Sequence, residues 1–189
     1  MTTAADNWEE NVPRVFIATA QAFLREEYLP KIERCLEQLT DEQIWWRPNP
    51  ESNSIGNLVL HLCGNARQWI VCGLGDEDDM RERQNEFDER RVIARDELLT
   101  VLRKTIAAVD HALAGFDARQ LLDSYPIQGT EATALAAVFH VTEHFSMHTG
   151  QIILLTKMLT RRGLAFYDFS SGKPVHAWAE PGRSRNNQE

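Results

Sequence analysis

A chain of 189 residues that is 43% hydrophobic, with only 7 Pro and 10 Gly, is long enough to bury one core without covalent staples. Its 28 Asp and Glu outweigh 20 Lys and Arg, giving a formal charge of −8 and a sequence pI near 5.3, which argues against nucleic acid and anionic membranes as partners. Cys35, Cys63 and Cys72 form no Cys-x-x-Cys pair, no apolar run reaches membrane-span length, and the acidic start lacks the order of a secretory signal, so the expectation is a reduced, cytoplasmic protein.

Apolar positions from about Pro13 to Leu39 recur three and four apart and predict a first helix, with Pro13 in its first turn and a kink or brief interruption at Pro30. Thr40 to Gln43 has the spacing of a capping box and predicts a short helical turn that packs Trp45 and Trp46 over the end of the molecule before Pro48 and Pro50 stop it. Asn53 or Ser54 caps a second helix, Ile55 to about Cys72, apolar nearly all round and therefore buried. The mixed charges from Gly73 to Arg91 read as a long exposed connection. A third helix, about Arg95 to Ala114, aligns Leu98, Leu102, Ile106, Val109 and Leu113 on one face and ends at Gly115. After a loop from Tyr125 to Gly129, a fourth helix runs from Glu131 to Thr160. Residues 165–189 read as an irregular tail with disordered last residues. The fold class expected is all-α: a four-helix bundle over residues 1–164, with the one long link between helices two and three making that pair parallel.

Six histidines carry the chemical interest. On a wheel turning about 100° per residue, His144 and His148 share the core sector of Ala137, Val141, Ile152, Leu155 and Leu159, while Thr142, Ser146, Thr149 and Lys157 fall opposite, toward solvent. Residues four apart lie roughly 6 Å along the axis, so two such imidazoles can converge on one ion at about 2.0 to 2.1 Å. His140 lies at the edge of that sector; it and His148 are too far apart to share an ion, and His144 with His148 is the favoured pair. For a third ligand, His111 faces away from the apolar stripe of its helix and His176 belongs to the tail. His61 instead sits on the most buried helix, in a polar strip with Asn57, Asn65 and Gln68 that burial obliges to be hydrogen-bonded. The competing reading keeps these histidines as core residues bonded to carbonyls, with no metal. No Glu stands inside His144-x-x-x-His148, so the zinc-protease signature is absent.

Two segments carry a resemblance. Ser52-Asn53-Ser54-Ile55-Gly56-Asn57-Leu58-Val59-Leu60-His61-Leu62-Cys63-Gly64-Asn65 and Glu143-His144-Phe145-Ser146-Met147-His148-Thr149-Gly150-Gln151-Ile152 resemble the DinB-like superfamily, as does Gln38 to Pro48. The resemblance covers the chain to about Leu164. It implies an up-down-down-up four-helix bundle, frequent homodimers, and a metal site with one ligand from helix two and two from helix four. Carried onto this sequence, those ligands are His61, His144 and His148, the set the wheel also favours. It further implies metal-dependent transfer or isomerisation with low-molecular-weight thiols, although no residue set here marks a thiol pocket.

Three neutral imidazoles leave a coordination position open, the pattern of a catalytic site. The leading reading is therefore a divalent-metal-dependent transferase of the thiol S-transferase type, or a hydrolase, acting on a small molecule. Zinc or nickel is the first expectation and iron or manganese the next, since imidazole suits several ions. Asn65 and Gln151 are the nearest polar helpers, and no acidic residue is expected beside the ligands. A second reading is a non-enzymatic, metal-binding, dimeric bundle with a structural, sensing or stress-response role.

Overall fold

A computed structural model describes residues 8–75 and 77–178; the expected disorder of the last residues lies outside them. The chain is mostly helical. Helical segments Trp8–Ala22, Phe23–Tyr28 and Leu29–Leu36 follow one another without a break and together form α1. The middle segment is a π-helix that interrupts the α-helical hydrogen-bond pattern just ahead of Pro30, where the wider turn accommodates a residue that brings no N–H and a bulky ring. Because α1 begins at Trp8, Pro13 lies inside it rather than in its first turn.

The Thr40 capping box is present and starts α2 (Asp41–Ile44). Only one of the two tryptophans is packed. Trp45 is 9% exposed and donates from Nε1 to the carbonyl of Ile93 at 2.9 Å, whereas Trp46 is 39% exposed. Gly56 makes room for that indole, since a Cβ there would lie 2.7 Å from the Trp45 ring. Asp41 also reaches the start of another helix, accepting from the Arg95 amide at 2.9 Å, a cap supplied from far along the chain.

Ser54, with Asn57, forms a capping box that opens α3, made of Ile55–Ala66 and a continuing π-helical segment Arg67–Cys72. The connection after α3 is not simply solvated: it contains α4 (Arg83–Asp88), packed on α3. Then come α5 (Arg95–Gly115), a hairpin of β1 (Ser124–Ile127) and β2 (Thr130–Thr133), and α6 (Ala134–Thr160) capped by Thr133. The expected start of the fourth helix at Glu131 is thus corrected: Gln128 and Gly129 both have positive φ, as a two-residue hairpin turn requires, and the chain pairs as strands before turning helical.

Helices α1 and α3 each pack against both α5 and α6. The core is the apolar face of all four, including Ile32, Leu36, Val59, Leu62, Leu98, Leu102, Val141, Phe145 and Ile152, with the predicted α5 stripe wholly buried. Thr149, expected toward solvent, is 3% exposed. The described part of the tail is ordered against α1: Tyr167–Asp168 pairs with Val175–His176, and Trp178 donates to the Glu26 carbonyl at 3.2 Å. His176 is tied to Glu27 at 2.6 Å instead of hanging free. Among the described residues no helix is long and apolar enough to cross a membrane.

Candidate metal centre

α3 delivers His61 and α6 delivers His144 and His148 to one point. The nitrogens these three rings offer all lie within 4.8 Å of one another, and the Nε2 atoms of His61 and His144 are 2.9 Å apart. His61 and His148 are buried, at 5% and 9% exposure, and His144 is half-buried. Two ligands held about 2.0 to 2.1 Å from one ion stand about 2.9 Å apart at a right angle and about 3.4 Å at a tetrahedral angle. The spacing of His61 and His144 therefore fits a shared ion.

The outward nitrogens of two of these rings are engaged. His148 Nδ1 lies 2.6 Å from Gln151 Oε1, so it donates and its Nε2 is left for the cluster. His61 Nδ1 lies 2.8 Å from Glu86 Oε2. Arg81 holds that carboxylate with two donors, Nε to Oε1 at 2.7 Å and Nη2 to Oε2 at 2.9 Å. Burial opposes ionisation of Glu86, yet the Arg81 guanidinium and the His61 ring outweigh it and keep the carboxyl below its usual range. An ionised carboxylate only accepts, so the His61 Nδ1 is the donor. Arg81 Nη2, 3.2 Å from the same Nδ1, then contributes proximity and charge rather than a second bond.

Burial is the main reason that His144 falls to about 3, with the neighbouring rings of His148, His61 and His140 adding to it. Burial also leads in lowering His148 and His140. His144 and His148 consequently present neutral imidazoles at neutral pH, the form that binds metal.

Of the polar helpers expected from sequence, Gln151 touches a cluster histidine. Asn65 does not: its Nδ2 meets His140 Nε2 at 3.0 Å, and its Oδ1 is buried with no hydrogen-bond partner among the described residues. His140 itself lies against Trp69, with ring centres 4.3 Å apart and planes tilted by 41°, and stays outside the cluster. His111 is exposed, as expected. Glu86 and Arg81 correct the expectation that no acidic residue lies near the ligands and that this charged stretch is solvated surface, for their side chains are only 11% and 6% exposed. The missed signal is Gly64, a gap three residues after His61 in α3, whose Cβ would fall 1.9 Å from Glu86 Oε1.

Residues 11–172 match a family described as protein of unknown function, DUF1572. No curated protein matches. The fold is similar to the crystal structure of a conserved protein from Enterococcus faecalis, at 18% identity, 77% coverage of this chain, 97% of that one, and a TM-score of 0.63. It is also similar to a DinB-like protein from Bacillus cereus ATCC 10987, at 18% identity, 70% and 85% coverage, and a TM-score of 0.56. The chain belongs to the DUF1572 family and has the fold of the DinB-like superfamily.

Proposed function

We propose that this protein holds a divalent metal ion on His61, His144 and His148 and uses it in transfer or hydrolysis on a small molecule, with thiol transfer as the first reaction class to test. The observation that carries the reading is the convergence of three imidazoles within 4.8 Å, two of them with their outer nitrogens already bonded to Glu86 and Gln151. A closed structural site uses four protein ligands, whereas three leave room for a reactant. A divalent ion there supplies a Lewis acid and lowers the pKa of a water or thiol in the remaining position.

The chain's own residues have separable tasks. His61, His144 and His148 bind; Glu86 and Gln151 aim two of those rings. Asn65, whose Oδ1 has no hydrogen-bond partner among the described residues, is the second polar helper of the site. We further infer an up-down-down-up course, a homodimer and a cytoplasmic setting, in keeping with the family resemblance and with the acidic, reduced-thiol composition. Zinc or nickel is the first choice of metal.

Elemental analysis of tag-free protein tests the site. We expect one ion per chain, lost in His61→Ala, His144→Ala and His148→Ala and kept in His140→Ala. Metal-replete wild type without a stoichiometric ion contradicts the proposal. Thiol conjugation and ester or amide hydrolysis, compared between wild type and His148→Ala, then separate an enzyme from a metal-binding bundle.

A further inference from the structure

We propose that Glu86 is a positioning residue for the three-histidine centre and that Gly64 is the notch in α3 that seats its carboxylate behind His61. The inference rests on the metal-binding reading above and extends it to an element that contributes no ligand. Both carboxylate oxygens are committed, Oε1 to Arg81 and Oε2 to Arg81 and His61, so Glu86 acts through the histidine and does not compete to be a ligand. With Nδ1 donating to Glu86, the His61 ring is held in the tautomer whose Nε2 lone pair faces the cluster, and its rotation would sacrifice that bond.

The segment that brings Glu86 in is itself fastened to α3 and its surroundings. Asn57, wholly buried, donates from Nδ2 to the carbonyls of Glu86 at 2.8 Å and Glu89 at 3.1 Å, while its Oδ1 accepts from Arg47 at 2.6 Å. Phe87 lays its ring 4.6 Å from that of His61. Arg81 is anchored in turn to Gln68 Oε1 at 2.8 Å, and Gln68 to Asp79 at 2.7 Å. A lock that served only to hold α4 on the helix would not need the carboxylate to reach the imidazole. Here it does, and it fits because position 64 has no side chain: a Cβ would lie 1.9 Å from Glu86 Oε1 and 2.9 Å from Arg81 Nε, a clash that pushes the carboxylate and its guanidinium partner away from α3.

The test uses the full chain with zinc or nickel salts and a competing chelator, beside nitrogen-15 spectra of the imidazoles in the metal-free protein. Gly64→Ala displaces the carboxylate while keeping every charge, and Glu86→Leu removes it; both should weaken ion binding about 10- to 100-fold, the usual effect of losing such a partner. Glu86→Gln, which keeps an acceptor, should lose less. In the metal-free spectra His61 should change from Nδ1-protonated in wild type to a mixture of tautomers in Gly64→Ala, a signature that loss of packing alone would not give. If Glu86→Leu fails to fold, Gly64→Ala carries the test. Wild type that binds neither metal sinks the metal reading and this inference with it. Wild type that binds, with Gly64→Ala binding within about twofold and an unchanged His61 tautomer, sinks the role of Glu86 alone.

Discussion

Gln151 Oε1 accepts from His148 Nδ1 at 2.6 Å, three residues away on the same face of α6. Helical spacing alone makes this pairing available, and it fixes which nitrogen of His148 turns toward His61 and His144. Gln151 is otherwise exposed, so its side chain has little to do with the core.

Gln151→Leu should therefore weaken ion binding by about 10-fold or more, while the unfolding free energy of the metal-free protein changes by no more than about 0.5 kcal/mol. Chelator competition and urea unfolding of the same preparation check the two halves. A large stability loss with unchanged affinity would mean that the pair serves packing.

Stability of the metal-free protein should fall in acid through His144. Its folded value of about 3 lies below an unfolded value near 6.5, so between those pH values the unfolded chain binds the extra proton. Stability is full above the unfolded value and is lost as pH drops toward the folded one; His148 shifts in the same direction, chiefly through burial. Thermal melts at about pH 7 and about pH 4.5 should show a smaller drop for His144→Gln than for wild type. Equal drops would contradict the assignment.

Gly56→Ala should cost about 1 to 3 kcal/mol by overpacking. The new methyl would stand 2.7 Å from the Trp45 ring, and the indole is tethered by its bond to the Ile93 carbonyl. Urea unfolding measures the loss, and the ion content of the folded variant should stay that of wild type because neither Trp45 nor Gly56 belongs to the histidine cluster.

The long helices were legible because burial and 3.6-residue spacing coincide in them: the α5 stripe lies where the pattern puts it, while the buried face of α6 keeps Ala137, Val141, His148 and Ile152 but turns to take in Thr149 and leaves Leu155 and Leu159 half-buried. His61, His144 and His148 were legible for the same reason, as polar residues in apolar sectors. Glu86 and Arg81 were not, because they lie in and just before α4, a short, largely polar segment in which the burial of these two side chains depends on contacts with α3 and on a missing side chain at Gly64. The Arg95 cap from Asp41 and the tail docking of His176 on Glu27 are likewise contacts between distant parts of the chain, which local periodicity does not encode. The hairpin before α6 escaped notice because its strands are only four residues long and its turn, Gln128-Gly129, is a weak version of the usual Asn-Gly signal.

X-ray absorption on tag-free protein loaded with zinc or nickel tests the central claim most directly, because it reads the ligands of the ion itself. We expect about three imidazole nitrogens at roughly 2.0 to 2.1 Å with one or more water oxygens completing the shell, and loss of one imidazole in His144→Ala. A shell dominated by sulfur or carboxylate oxygen, or one unchanged in that variant, would contradict it.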